Sequence, residues 1–354
     1  MTTMDRSITT ARLPKGSPWA ILIGSWLAVA IIFLLLNLGN GASDYNIVGA
    51  VFFGTLLYLV AIVVLSVLVE GGRQARDRLA TALVTTAFVI ALLPLISLLF
   101  TVVTNGLNRF DVAFFTQSLR GVVGEGGGAL HAIVGTLEIT GLATLISVPI
   151  GLMTAIYLVE YGRGPLARGI TFLVDVMTGI PSIVAGLFAY AMFSLVFGQG
   201  VRMGFAGSVA LAVLMIPVVV RACEELLKLV PNELREASFA LGVPKWLTVV
   251  KIVLPTAIAG IVTGIMLAIA RVIGETAPLL ITAGITQSMN YNLFDERMAS
   301  LPVYVFNSYD SQGTDAAAYL DRAWAGALVL ILIVMILNLL ARLVAKIFAP
   351  SAGR

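Results

Sequence analysis

The residues best suited to chemistry stand in one short run, Arg271-Val-Ile-Gly-Glu275-Thr276-Ala-Pro278. Arg271 and Glu275 are four apart, so on a helix they share one face, a turn from each other. Both fall inside a stretch, residues 252–285, that is otherwise apolar enough to cross a membrane. A charge at that depth costs about 3 kcal/mol or more unless it meets a partner or water, which makes it a functional site by default. A guanidinium presents a planar fork of donors that fits a tetrahedral oxyanion. Glu275 can hold that fork while no anion is present and yield when one passes. Thr276 can add a hydroxyl, and Pro278 breaks the helix and frees backbone groups nearby. The same spacing equally fits a structural ion pair that fixes the rotation of the helix.

Other chemistries lack their residues. Cys223 and His131 are each the single residue of their type, so neither an internal disulfide nor a Cys or His metal cluster can form. No Gly-x-x-x-x-Gly-Lys-Ser/Thr loop is present, so the chain does not hydrolyse ATP by the P-loop route. No Ser/His or Cys/His pair is placed for nucleophilic catalysis. The expectation is a chain with no catalytic residue and no metal, driven by a partner or by an ion gradient.

The elements that position Arg271 are apolar helices. The 354 residues are 59% hydrophobic and 12% charged, with a mean hydropathy of +1.01. Repeated apolar runs near 20 residues predict an all-α, polytopic transmembrane bundle. The ten-residue alternation of a membrane β-barrel is missing. About eight spans are expected, near 19–38, 47–69, 79–104, 132–159, 168–197, 205–222, 252–285 and 324–348. The first is read as a retained helix, since no small-residue cleavage site follows it. With the N-terminus in the cytoplasm, 16 of the 22 Lys and Arg fall on inside segments, including Arg6, Arg12, Lys15 and Arg354, and five fall outside. That asymmetry predicts both termini inside. The net charge of +3 reflects this placement and does not point to nucleic acid. Glu138 falls in the outer part of the fourth span and Asp175 near the inner end of the fifth. Either can cap a helix or pair with an arginine, and neither is assigned a role.

Several spans carry helix breakers: Pro149-Ile-Gly151, Gly179-Ile-Pro-Ser182, Pro217, Pro255 and Pro278. Together they predict kinked helices lining a pathway, while Gly260 and Gly264 suit close helix packing. The outer loop at 105–131 holds Gly124-Glu-Gly-Gly-Gly128, read as a flexible connector. The outer loop at 286–323 is polar and long enough for its own small structure or an external partner. The inside loop 223–251 reads as a short helix with firm stops. Pro231 and Asn232 suit its start, and Glu233 and Glu236 sit where the helix dipole favours acids. Gly242 suits the left-handed position past its end, and Pro244 forbids continuation. Ala237, Ser238 and Ala240 leave one face small. Such an element fits a docking helix for a soluble partner, and equally a loop helix packed on its own bundle.

Glu236-Ala237-Ser238, then Gly242, then Ile252-Val-Leu254-Pro255 resembles the Glu-Ala-Ala…Gly…Ile-x-Leu-Pro loop of ABC importer permeases, with Ser in the third position. Thr178-Gly-Ile-Pro181-Ser-Ile-Val-Ala-Gly-Leu-Phe188 resembles a segment of phosphate permeases, with Ala185 where Tyr is frequent. Arg271 to Leu280 resembles the Arg-x-x-Gly-Glu-Thr-Ala-Pro-Leu signature of their PstA-type subunit, and the run from His131 to Tyr161, with Gly135-Thr-Leu and Ala155-Ile-Tyr-Leu-Val-Glu-Tyr, also looks like this family. The resemblance covers residues 79–348.

That resemblance implies a type I ABC importer permease core of six spans in residues 79–350, preceded by a two-span extension in 1–78. It implies ATP-driven phosphate import across the bacterial plasma membrane. Arg271, Glu275 and Thr276 would lie on the substrate path. Glu236, Ala237, Ser238, Gly242, Leu254 and Pro255 would belong to the loop that couples to the ATPase. The implied partners are a PstC-type second permease subunit, a PstB-type ATPase dimer that carries ATP and Mg, and an extracytoplasmic PstS-type phosphate-binding protein, all in membrane lipid. A permease for sulfate or molybdate and an ion-coupled secondary transporter are the alternatives.

Overall fold

The computed structural model describes residues 13–14, 16–37, 46–313 and 315–348. Arg6, Arg12, Lys15 and Arg354, used above for orientation, lie outside the described residues. Among those described, every regular element is helical. In chain order they are α1 (Ser17–Asn37), α2 (Ile47–Val69), α3 (Gly72–Gly106), α4 (Val112–Thr116), α5 (Leu130–Ile156), α6 (Pro165–Thr178), α7 (Ser182–Phe197), α8 (Gly204–Lys228), α9 (Asn232–Ala240), α10 (Lys245–Thr248), α11 (Leu254–Val272), α12 (Ala277–Thr282), α13 (Leu301–Asp310) and α14 (Ala316–Phe348). A π-turn, Tyr157–Tyr161, ends α5, and another, Val249–Val253, joins α10 to α11. Seven stretches are long and apolar enough to cross a membrane, and the pair α6–α7 makes an eighth if taken as one span.

The chain forms two compact units, residues 1–99 and 100–354. In the first, α1 packs along α2. Gly54 lets them approach, since a Cβ there would stand 2.6 Å from Cδ1 of Trp26. The Trp26 indole donates to the Thr55 hydroxyl at 3.1 Å, so the polar group of this exposed aromatic is satisfied within the helix pair. Glu70, just past α2, accepts from Nε and Nη2 of Arg78 at 2.5 and 2.7 Å, from the Leu13 N–H at 2.7 Å and from the Ser66 hydroxyl at 2.9 Å. The Arg78 guanidinium above all holds this carboxyl down to about 2, against the opposing effect of desolvation.

The second unit is built around α8, which is more than half buried, whereas the other long spans are at most 28% buried. Small residues explain how α5 and α11 lie against it. A Cβ on Gly151 would stand 2.7 Å from Val219, one on Gly260 2.6 Å from Leu226, and one on Gly264 2.9 Å from Ala222. Such contacts replace the hydrophobic driving force that lipid removes. The Ser147 hydroxyl is satisfied by the Ala143 carbonyl of its own helix at 2.7 Å.

The helix breakers Gly179–Ser182 and Pro278 interrupt the two longest spans as foreseen, and two other expectations change. The span foreseen at 168–197 is two helices bent by 108° at Gly179–Pro181, because Pro181 cannot continue α6. The span foreseen at 252–285 ends at Val272 and resumes only as the six-residue α12. The loop foreseen from 223 begins later, because α8 runs on to Lys228. The glycine cluster at 124–128 is not a slack connector. Nη1 of Arg322 donates to the Gly124 and Gly126 carbonyls at 2.8 and 3.1 Å, and Nη2 of Arg109 to Gly127 at 2.7 Å. Gly124, Gly126 and Gly127 have φ of +80°, +93° and +65°, a turn that side chains resist and that two arginines clamp. The loop at 286–323 does carry its own structure, the helix α13, whose first N–H donates to the Thr136 hydroxyl of α5 at 2.7 Å.

Candidate functional site

Two helix breaks meet at one cavity. Its volume is about 220 Å³, and its lining includes Thr178 and Ser182 from the α6–α7 break, Leu214 and Val218 from α8, and Arg271 and Glu275 from the α11–α12 break. Local sequence explains both breaks. Gly179 and Pro181 stop α6. At the other, the Glu275 N–H reaches only back to the Val272 carbonyl at 3.1 Å, and Pro278 sits in the first turn of α12. Irregular backbone at membrane depth is tolerated where it is buried in protein or lines a watered cavity.

The breaks also touch each other. A Cβ on Gly186 of α7 would lie 2.6 Å from Cα and 3.1 Å from Cβ of Pro278. Gly186 and Pro278 belong to the two separate motifs read above, so these motifs are halves of one contact. Around the cavity stand one guanidinium, the hydroxyl-bearing Thr178 and Ser182, and the N-terminus of α7, where the helix dipole favours negative charge. Together they suit a small anion.

Arg271 and Glu275 were expected one turn apart on a single helix. The structure corrects this, since α11 has ended before Glu275. Both still line the cavity. The ion pairs among the described residues are Arg78–Glu70, Arg109–Asp111, Arg221–Asp175, Arg221–Glu224, Lys228–Glu224 and Arg235–Glu160. Arg271 and Glu275 are in none of them, and Arg271 is exposed. Thr276, half-buried, precedes α12, where its carbonyl accepts from Leu280 at 2.9 Å. Asp175 pairs with Arg221 beside a second cavity of about 390 Å³ that also holds Arg168 and Lys228. Glu138 is half-buried in α5, and its Oε2 has no hydrogen-bond partner.

The second candidate region is α9. Its start follows Pro231, and Gly242 beyond its end has a φ of +74°. Glu236 and Ala237 are exposed on it, as are Leu234, Phe239 and, just past its end at 83%, Leu241. Ser238 is buried, its hydroxyl 2.8 Å from that of Thr248 on α10. Leu254 and Pro255 open α11, after the π-turn. Arg235 faces inward to Glu160, at 2.9 Å from Nη2 and 3.0 Å from Nε. Sequence reading missed Thr178, Ser182, Thr248 and the Arg235–Glu160 pair. For Thr178 and Ser182 the signal was the Gly179–Pro181 breaker that separates them.

A bundle of membrane-crossing helices with an arginine-bearing cavity between two broken spans, and an exposed short helix on a connecting loop, defines a membrane permease. Residues 147–354 match the family model described as binding-protein-dependent transport system inner membrane component. The phosphate transport permease PstA 1 of Mycobacterium tuberculosis (strain ATCC 25618 / H37Rv) is 49% identical over 77% of this chain and 88% of its own. PstA of Yersinia pestis is 42% identical over 78% of this chain and 92% of its own. Among solved structures, an inward-facing MetNI methionine ABC transporter superposes with a TM-score of 0.52 at 20% identity, over 62% of this chain and 96% of its own. A bacterial ABC transporter involved in alginate import gives 0.51 at 15% identity, over 77% and 96%. These two speak for the fold alone. The chain belongs to the binding-protein-dependent inner membrane components and, within them, to the PstA phosphate permeases. It is a transport subunit and not an enzyme, and a permease of this class works with an ATPase and a substrate-binding protein.

Proposed function

We propose that the chain forms half of a phosphate pathway in which Arg271 makes the transient contact with the anion. The observation that carries this reading is the convergence of Arg271, Glu275, Thr178 and Ser182 on one cavity between two broken helices. No carboxylate among the described residues pairs with Arg271, so its donors are available to a passing oxyanion. Glu275, on the same wall, repels the anion and competes for the guanidinium, which prevents tight trapping. Thr276, next to Glu275 at the start of α12, adds a hydroxyl to the path.

The other half of the pathway belongs to a second permease subunit of PstC type. With both termini in the cytoplasm, α9 faces the cytoplasm and docks a PstB-type ATPase dimer, in which ATP and Mg act. Exposed Leu234, Phe239 and Leu241 beside Glu236 and Ala237 support this, since an apolar patch on a water-facing loop calls for a partner. The opposite end, with α13 and the clamped glycine loop, receives a PstS-type phosphate-binding protein. Residues 1–78 add two helices to the six-span core in 79–350.

The test is uptake by the complete transporter in proteoliposomes, with phosphate, sulfate and molybdate in turn. Arg271→Leu should abolish phosphate uptake while all subunits still co-purify. Normal uptake by this variant would remove Arg271 from the path.

A further inference from the structure

We propose that Glu160 and Arg235 form the joint through which α9 moves α5, so that the stroke of the ATPase reaches this helix as well as its chain neighbours. The proposal rests on the reading of α9 as the ATPase-docking helix. The chain itself ties α9 to α8 on one side and, through α10 and the π-turn at 249–253, to α11 on the other. It does not tie α9 to α5, since Glu160 and Arg235 are 75 residues apart. Yet α5 packs along α8 and must move with it if the pathway is to open.

Arg235 is built for this connection. Its Nε and Nη2 both reach Oε1 of Glu160, at 3.0 and 2.9 Å. Nη2 also donates to the Leu227 carbonyl at 3.0 Å, and Nη1 to the Val230 carbonyl at 2.6 Å and to Oδ1 of Asn232 at 3.1 Å. Four of the five guanidinium N–H donors are thus hydrogen-bonded, joining the end of α8, the start of α9 and the end of α5 at one group. The two side chains are 12% and 5% exposed, so water and salt screen the pair little, and removing one partner leaves a buried charge. Lys245 adds a second arm. Its Nζ donates to the Glu160 carbonyl and lies 5.0 Å from the centroid of the Tyr161 ring. Both helices that would receive the motion meet α9 through a π-turn, 157–161 in α5 and 249–253 before α11. Such turns mark functional sites inside helices. A mere staple needs neither the compliance of a π-turn nor the convergence of three helix ends on one guanidinium.

The experiment measures phosphate transported per ATP hydrolysed, using the transporter reconstituted with all its subunits. Glu160→Gln and Arg235→Gln should each lower that ratio about tenfold, within the range of coupling between distant sites. The ATPase should still co-purify with both variants. The double variant should be no worse than either single one, because both disable the same joint. An unchanged ratio in the single variants, or losses that multiply in the double, would overturn the joint. If a pair variant does not assemble, Lys245→Met supplies the same measurement through the second arm, with the same outcomes deciding. Glu236→Lys, on the exposed face of α9, separates the two ideas. If it keeps the ATPase bound, the docking reading fails. If it loses the ATPase while the pair variants keep a normal ratio, the joint alone fails.

Discussion

Replacing Gly186 by alanine should push α12 away from α7 and cut phosphate uptake. The Cβ of the new side chain would stand 2.6 Å from Cα of Pro278 and 3.2 Å from its carbonyl oxygen. Carbon atoms in contact sit at about 3.5–4.0 Å, so one backbone must retreat by about 1 Å. The first of these atoms belongs to the backbone of α12, so no side-chain rotation relieves the overlap. Overpacking of this size costs about 1–3 kcal/mol, and thermal unfolding in detergent should register it. Function should suffer more than stability. Pro278 lies three residues after Glu275, and a displacement of about 1 Å at a reacting site can cost as much as about a hundredfold in rate. The assay is initial phosphate uptake by the reconstituted transporter, normalised to assembled complex. Gly141→Ala is the control, because a Cβ there meets nothing within 4 Å and alanine favours the helix. If Gly186→Ala transports as well as Gly141→Ala, the contact between the two motifs does not hold the site.

Two further outcomes follow from groups outside the cavity. Ser238→Ala should destabilise the α9–α10 corner by about 1–2 kcal/mol, because Thr248 loses its 2.8 Å partner and keeps only a 3.4 Å contact to the Pro244 carbonyl. Adding Thr248→Val should recover part of that loss, and a double variant as poor as the sum of the singles would refute the pairing. Glu70 titrates near 2 in the folded chain against an ordinary 4.5. A depressed carboxyl stabilises above its unfolded value and loses that effect as pH falls through the folded one. Hydrogen-exchange protection of α2 should therefore decline as pH drops from about 4.5 towards 2, and in Glu70→Gln the decline should vanish. Equal pH profiles for the two would show that Arg78 and Leu13 do not hold Glu70 as described.

What could be read from sequence was whatever leaves a local pattern. Apolar runs located the spans, Gly179 and Pro181 announced a break, and Gly242 placed the end of α9 to the residue. Arg271 stood out because a guanidinium in an apolar run is costly wherever it points. Pairing over long separations leaves no such pattern. Nothing near Gly124 signals that Arg322, 198 residues on, will bind its carbonyl, so the cluster read as slack. Nothing near Glu160 announces Arg235. The single long apolar run at 252–285 hid the end of α11, because hydropathy continues through α12 while the helix does not. Ser238 shows the same limit. As a motif position it read as a tolerated small residue, whereas its partner on α10 makes it a buried hydrogen-bonding group.

The exposure of Arg271 bears on how much of the transporter this chain supplies. A guanidinium at membrane depth cannot face hydrocarbon cheaply, and here no carboxylate among the described residues pairs with it. Water or another protein surface must therefore complete its surroundings. Both broken helices end at the cavity it lines, and unpaired backbone there also needs polar company. One aqueous path, walled on its far side by a second subunit, meets both needs at once. On this view the breaks and the charge are parts of one device. Straightening either break should then harm the chain even with Arg271 in place, because the polar wall would lose the backbone that borders it.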